Sequence, residues 1–246
     1  MKAVILAAGY ATRLYPLTEN KAKPLLEIGN RPLVEHLLEK INEVKIIDHV
    51  YIVTNAKFYD DFVVWSRSSR YFSKVTILND GTETNETRLG AIGDITYVIN
   101  EANIEEDVMI AAGDNLFSFD FQPFVHFFYE KQTDCIIVQS VSDQKELQRT
   151  GVAAIKPDGL VTGFEEKPEC PKTSLAVPPI YLYKKETIKL LGNYLQSGNN
   201  PDAPGNFIPW LIKHKNVYAY PIRGACYDIG TLESYQKISK MYAERK

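Results

Sequence analysis

Leu6-Ala7-Ala8-Gly9-Tyr10-Ala11-Thr12-Arg13-Leu14-Tyr15-Pro16-Leu17-Thr18, followed by Lys21, Lys23 and Pro24, is the stretch from which the fold can be read. It continues Lys2-Ala3-Val4-Ile5-Leu6, an apolar run that reads as a buried strand. Small residues at Ala7, Ala8, Gly9 and Ala11 let the backbone pass close to a ligand and leave amides pointing outward. Arg13, Lys21 and Lys23 hang positive charge over the loop. Backbone N–H groups with a guanidinium and an ammonium suit a triphosphate, which offers many acceptor oxygens and several negative charges. No Gly-Lys-Ser/Thr follows at the Walker spacing, and the third glycine and acidic follow-up of the dinucleotide fingerprint are missing. Ala-Ala-Gly alone would be an ordinary strand-to-loop connection. Arg13 and Lys23-Pro24 turn it into a candidate phosphate loop.

Composition narrows the classes. A chain of 246 residues suffices for one large α/β domain and is short for two. Its net charge of −3 argues against nucleic acid as a partner, because duplex binders carry a basic face. No stretch approaches the roughly 20 apolar residues of a membrane span, and Met1-Lys2 with five apolar residues after it does not read as a signal peptide. Cys135, Cys170 and Cys226 are too widely spaced for a disulfide framework or a zinc knuckle, which fits a reducing, cytoplasmic setting.

Outward from the loop, Leu33, Val34, Leu37, Leu38 and Ile41 predict a helix from Pro32 to Val44, with Pro32 in its first turn and His36 packed or exposed rather than catalytic. His49–Asn55, Lys74–Leu78, Val108–Ala112 and Cys135–Val141 read as strands, and Leu89–Asn100 as a helix. The aromatic-rich segment from Phe117 to Phe128 reads as a packed helix rather than a stacking surface. This alternation predicts an α/β fold, a doubly wound, mostly parallel, Rossmann-like sheet with ligands at the carboxyl ends of its strands. Asn79 to Gly90 follows a strand; its amides and hydroxyls can read a base edge, or form a surface turn with a Thr or Asn helix cap. Asp114, beside a glycine at the end of a buried strand, suits a metal. Thr150–Ala153 and Gly163–Pro168 look like two arms bringing polar groups back over the sheet. Pro201 to Val217 receives no chemistry.

In order, these stretches resemble the motifs of the sugar-1-phosphate nucleotidyltransferases, the nucleotide-sugar pyrophosphorylases. The opening signature matches at Leu6, Gly9, Thr12, Arg13, Leu14, Pro16, Thr18, Lys23 and Pro24. It departs at Ala11, where the family usually has glycine; a methyl group there is tolerable at negative φ and costly at positive φ. Gly113-Asp114-Asn115, Glu165-Glu166-Lys167-Pro168 and the stretch Gly224 to Thr231 resemble three further motifs, the last with Tyr227 and no Trp.

The resemblance implies a single glycosyltransferase-A-like nucleotidyltransferase domain, 1–246, with a nucleotide-binding half (about 1–115) and a sugar-phosphate-binding half (about 116–246). It implies nucleotide contacts from Leu6, Ala7, Ala8, Gly9, Thr12, Arg13, Lys23, Asn79, Asn85, Gly90 and Asn115. Gly151, Glu166, Lys167, Val177 and Tyr181 would hold the sugar phosphate, although Pro178-Pro179 replaces the Thr-Gly common there. Asp114 and Asp228 would hold Mg²⁺. Arg13, Lys23 and Lys167 would be catalytic, the first two stabilising the leaving pyrophosphate. The implied substrates are an NTP and a sugar 1-phosphate, with no nucleic acid and no membrane, and a homo-oligomer is left open. Two alternatives stand beside this. The loop Asn79 to Asn85 also resembles that of choline-phosphate cytidylyltransferases of the same superfamily. A non-catalytic regulatory subunit would keep the fold, but would be expected to lose basic or metal residues that are all present here.

Overall fold

Ala3, Val4 and Ile5 of β1 (Lys2–Leu6) are almost wholly buried, because β1 runs through the middle of the sheet. The structure is a computed structural model describing residues 1–243; the sequence also reads as a helix from Leu232 to the C-terminus, and the end of that helix, 244–246, lies outside the described residues. Strands follow in order as β2 (Glu27–Ile28), β3 (Arg31–Pro32), β4 (His49–Thr54), β5 (Val75–Asn79), β6 (Val108–Ala112), β7 (Asn115–Phe117) and β8 (Asp134–Ser140). They continue as β9 (Gly151–Ile155), β10 (Val161–Glu166), β11 (Leu175–Val177), β12 (Ile180–Tyr183), β13 (Val217–Pro221) and β14 (Cys226–Asp228).

The main sheet has ten strands in the order β10-β9-β11-β8-β12-β6-β1-β4-β5, with β13 paired to β8. From the pairings, β1, β4, β5, β6, β8, β9 and β13 point one way, and β10, β11 and β12 the other. The sheet is therefore mostly parallel, as the alternating sequence predicts. Two short ladders, β7 with β14 and β2 with β3, lie outside it.

Alternate residues of the central strands feed two cores. Ala3, Ile5, Met109 and Ala111 pack with Val34, Leu37 and Ile41 of α1 (Leu33–Glu43), Phe62 of α2 (Tyr59–Ser68) and several phenylalanines. Val4, Val108 and Ile110 pack with Ile92, Ile95 and Val98 of α3 (Ala91–Glu101) on the other face. Helices thus cover both faces, and each central strand is apolar on both sides. The aromatic segment differs from the single expected helix. Phe117 ends β7 and α4 spans Gln122–Lys131, with Pro123 in its first turn. Phe117, Phe119 and Phe121 pack edge-on or tilted in the core, so the segment buries its rings as expected without being helical throughout. His36 is packed: its Nε2 lies 2.8 Å from Ile28 O. No described helix is long and apolar enough to cross a membrane.

Candidate active site

The signature loop leaves the carboxyl end of β1 with its carbonyls pulled inward. Ala7 N–H donates to Val53 O (2.9 Å), the Ala7 carbonyl accepts from Thr54 Oγ1 (3.3 Å), and the Ala8 carbonyl accepts from Asn55 Nδ2 (2.8 Å). Thr54 and Asn55 are fully buried, so the anchor is rigid. The amides of residues 8–13 take no protein acceptor among the described residues, while Leu14 N–H closes a turn onto Ala11 O at 3.0 Å. Free amides in a curved loop form an anion cradle. Ala11 has φ 48° and ψ 39°, the left-handed region, at the position where a glycine was expected. Its carbonyl is held by the buried Thr18, whose Oγ1 donates at 2.8 Å. Arg13 and Lys21 stand exposed at the surface.

Lys23 follows a different course. Its 3-10 turn, Lys23–Leu25, buries it to 6% exposure. Its ammonium donates to Asp114 Oδ2 at 2.7 Å and to Asp228 Oδ1 at 3.3 Å. Register explains how residues so distant in sequence meet: Asp228 is the ladder partner of Asn115, next to Asp114. Gly113 lets Asp114 reach this point, because a Cβ there would lie 2.9 Å from Ile5 Cγ2 and 3.0 Å from Leu6 O, which accepts the Gly113 amide. Asn115 is buried and donates through Nδ2 to Asp114 Oδ1 at 2.7 Å, orienting the carboxylate. Burial works against the charge on Lys23, but Asp114 and Asp228 outweigh it and raise its pKa. Burial likewise favours a neutral Asp114, and the Lys23 ammonium overrides it, holding the carboxyl below its usual range. Cys226, which sequence reading left without a role, sits behind them with Sγ 3.4 Å from Asn115 Oδ1. Burial, then the charges of Asp228 and Asp114, push its thiol well up, so it is no nucleophile.

Two carboxylates converging on one cation fit a hard divalent ion, which takes a few protein oxygens and fills the rest of its shell with water and phosphate. Among the described residues no group of three or more His, Cys, Asp or Glu is arranged for a metal. Asp114 and Asp228 would share the ion with the substrate's oxygens.

The stretch after β5 is a loop tied down by its own side chains. Asn79 Oδ1 accepts from Gly81 N at 2.9 Å. Asn85 is exposed, and its backbone carbonyl accepts from Arg88, whose other nitrogen reaches Asp202 at 3.1 Å. The N-cap of α3 is Gly90 and makes no side-chain cap, so Asn85 is not a cap. Gly90 has φ +77°, and a Cβ there would lie 2.7 Å from Pro201 O. Glycine is thus demanded by both conformation and close approach.

The sugar-phosphate candidates form a second group. Lys167, at the end of β10, has φ 47° and a side chain 59% exposed, 3.9 Å from Glu166 Oε1. A lysine in the left-handed region is uncommon, and such strain clusters at functional sites. Glu166 is largely buried, which raises its pKa against the pull of Lys167. Its Oε2 occupies the space a Cβ would take at Gly205, and lies 3.2 Å from where one would stand at Gly151. Gly205 therefore packs against Glu166, a contact that only the apposition of Pro204–Phe207 with β10 reveals. Val177 and Tyr181 are buried at 2%, Tyr181 stacked on Tyr183 and close enough to Glu166 to feel its charge. They are core residues and do not face solvent. The structure brings Lys23, Asp114, Asn115 and Asp228 together, and Gly151, Glu166 and Lys167 together, while Arg13 joins no ion pair among the described residues.

Known proteins resemble this chain in sequence and fold. Glucose-1-phosphate adenylyltransferase of Bacillus subtilis (strain 168) is 30% identical over 94% of this chain and 64% of its own length. The bifunctional protein GlmU of Methanocaldococcus jannaschii is 27% identical over 94% of this chain and 51% of its own. The chain thus spans between about half and two thirds of the length of these curated relatives. A crystal structure of a Bacillus anthracis protein described as a glucose-1-phosphate thymidylyltransferase, in complex with a sucrose, superposes with a TM-score of 0.85 at 26% identity, covering 99% of this chain and 96% of that one. UDP-glucose pyrophosphorylase, at 20% identity and a TM-score of 0.83, shares the fold. The nucleotidyl transferase family matches from residue 2 to residue 245, and the chain belongs to that family.

Proposed function

We propose that this protein transfers a nucleotidyl group from an NTP to a sugar 1-phosphate, releasing pyrophosphate. The observation that carries the reading is the convergence of Lys23, Asp114 and Asp228 at the end of β1 and β6, beside the loop of free amides. A sugar-phosphate oxygen would attack the α-phosphorus in line as its bond to pyrophosphate breaks. A phosphate monoester is already ionised near neutral pH, so no general base is needed. The protein's part is positioning and charge neutralisation. The amides of residues 8–13 and Arg13 would take the triphosphate, Asn79, Asn85 and Gly90 the base, and Lys167 and Glu166 the acceptor. Mg²⁺ on Asp114 and Asp228 would neutralise phosphate charge.

Residues 1–115 supply most of the nucleotide side and 116–246 the acceptor side, while the metal pair draws one carboxylate from each. The relatives act on sugar phosphates by name, which favours this reading over choline phosphate. The retention of Arg13, Lys23, Asp114 and Asp228 favours it over a non-catalytic subunit. A pyrophosphate-release screen of five NTPs against sugar 1-phosphates and phosphocholine, with and without Mg²⁺, tests it. Release that needs an NTP, a sugar 1-phosphate and metal is expected. Release with phosphocholine alone would select the cytidylyltransferase alternative, and none at all the regulatory one.

A further inference from the structure

Where the loop from Asn79 to Gly90 meets α3 is a pair of acids that the proposed chemistry does not use. Asp94, in the first turns of α3, is 6% exposed, and Asp80 follows β5. The two carboxyl groups are within hydrogen-bonding reach of one another. Asp94 Oδ1 and Asp80 Oδ2 are buried oxygens with no donor supplied by the protein. Buried acceptors rarely go unsatisfied, and two adjacent carboxylates cannot comfortably both ionise. A single proton between these oxygens removes both difficulties.

The other oxygen of Asp80 is fully engaged. Asp80 Oδ1 accepts from Thr82 N at 2.7 Å and from Thr82 Oγ1 at 2.8 Å. Since Thr82 gives its hydroxyl proton to Asp80, the contact of Tyr10 OH with Thr82 Oγ1 at 3.4 Å runs from tyrosine to threonine. Thr82 O in turn accepts from Ala56 N at 2.9 Å. Hydrogen bonds therefore run from Tyr10 through Thr82 to Asp80, tying the phosphate loop to the loop between β5 and α3, and Asp94 lies on the far side of Asp80.

We propose that Asp94 and Asp80 share one proton and that Asp94 is thereby a positioning residue, locking the nucleotide-facing loop to the signature loop through Thr82 and Tyr10. The inference rests on reading that loop as the nucleotide side of the site. Burial, then the charge and hydrogen bond of Asp80, push Asp94 up to about 8, consistent with a retained proton. The other titratable groups around these residues are Tyr97 on α3, which feels Asp80, and Glu83 and Glu86, which with Asp80 act on Tyr10. Arg88, a cation on the same loop, is turned to Asn85 O and Asp202, and among the described residues no cation acts on the Asp94 carboxyl. Loss of the shared proton would set two carboxylates against each other, swing Asp80 away and release Thr82.

The experiment compares wild type with Asp94→Asn, whose amide keeps a neutral donor toward Asp80 but cannot ionise, and with Asp94→Ala. In the ligand-free proteins, amide exchange over residues 80–90 is measured at pH 7 and pH 9 and corrected for intrinsic rates. Wild type should lose protection at the higher pH, and Asp94→Asn should keep it. In kinetics with the NTP giving fastest pyrophosphate release, KM for the NTP should rise with alkaline pH in wild type and stay flat in Asp94→Asn, with KM for the acceptor unchanged. Asp94→Ala should raise the NTP KM about tenfold already at pH 7, the scale of one lost hydrogen bond. Should Asp94→Ala fail to fold, the Asp94→Asn comparison still decides. An exchange profile for Asp94→Asn that follows wild type at both pH values overturns the inference. Absence of turnover with any NTP would instead count against the functional reading, leaving the exchange result to judge the acid pair.

Discussion

Lys23 Nζ lies 2.7 Å from Asp114 Oδ2, and the same ammonium reaches Asp228 at 3.3 Å. In this arrangement the lysine is less a free phosphate ligand than the counter-ion of a dicarboxylate clamp. A buried ammonium persists only when paired. The clamp and the lysine therefore hold each other in place, and a divalent ion entering between the carboxylates would free Lys23 to turn toward phosphate.

Removing either side should show this. Asp114→Asn and Asp228→Asn should abolish turnover while leaving the fold intact, and EDTA should do the same to wild type. Lys23→Met should also lower stability in metal-free buffer. Breaking a fully buried pair costs about 3–5 kcal/mol. Asp114 and Asp228 are 38% and 59% exposed, so about 1–2 kcal/mol is expected here. Added Mg²⁺ should restore much of that loss, because it replaces the missing positive charge. Thermal melts with and without Mg²⁺ measure it. Full activity of either Asp variant in metal-free buffer would remove both residues from the site.

Ala11 offers a test of the loop itself. Its φ of 48° places a methyl group in a region that costs an L-residue roughly 1–2 kcal/mol, whereas glycine enters it freely. Against this, glycine loses more chain entropy on folding, by about 0.5–1 kcal/mol. Ala11→Gly should therefore stabilise the protein by up to about 1 kcal/mol in urea titration. A clear destabilisation would mean that the loop does not hold Ala11 in this conformation.

Asp94 gives a prediction about pH and stability. Its pKa rises from the ordinary 3.8 to about 8 in the folded chain, so the native state keeps a proton that the unfolded chain has released. Stability must then fall as pH climbs from about 4 to about 8 and level off above that. Asp94→Asn removes this slope, and its advantage over wild type should grow across the same window. Urea midpoints for both proteins at several pH values read the difference. An advantage that is constant with pH would show that Asp94 does not titrate there.

The parts of this molecule legible in its sequence are those whose signal is local. β1, α1 and β6 announce themselves as continuous or periodic apolar runs, and Arg13 and Lys23 lie in the stretch that follows β1 as Asp114 follows β6. The conformation of Ala11 was recognisable as a question but not answerable, since it depends on how Thr18 closes the loop. Asp80 and Asp94 are separately unremarkable, one in a polar loop and one in a helix bearing other charges. Only the fold, which buries Asp94 close to the residue that follows β5, makes them a pair. Gly205 was silent for the same reason, because what demands glycine there is Glu166, on a strand far away in sequence.

Lys167 and Arg13 make the sharpest distinction available in this site. Arg13 stands exposed beside the free amides that follow β1, whereas Lys167 stands at the end of β10 beside Glu166, with a left-handed backbone that fixes its direction. We assign the NTP to the first and the acceptor phosphate to the second. A charge-assisted contact to a phosphate is worth about 1.5–3 kcal/mol. Lys167→Met should therefore raise KM for the sugar phosphate, lower kcat/KM by roughly ten- to a hundred-fold, and barely change NTP binding. Arg13→Met should weaken binding of the NTP, and of pyrophosphate in the reverse reaction, while sparing the acceptor. Calorimetric titration of NTP into each variant, beside steady-state kinetics in both substrates, separates the two roles. If Lys167→Met loses NTP affinity as badly as Arg13→Met does, the end of β10 belongs to the nucleotide, and the acceptor must be bound elsewhere.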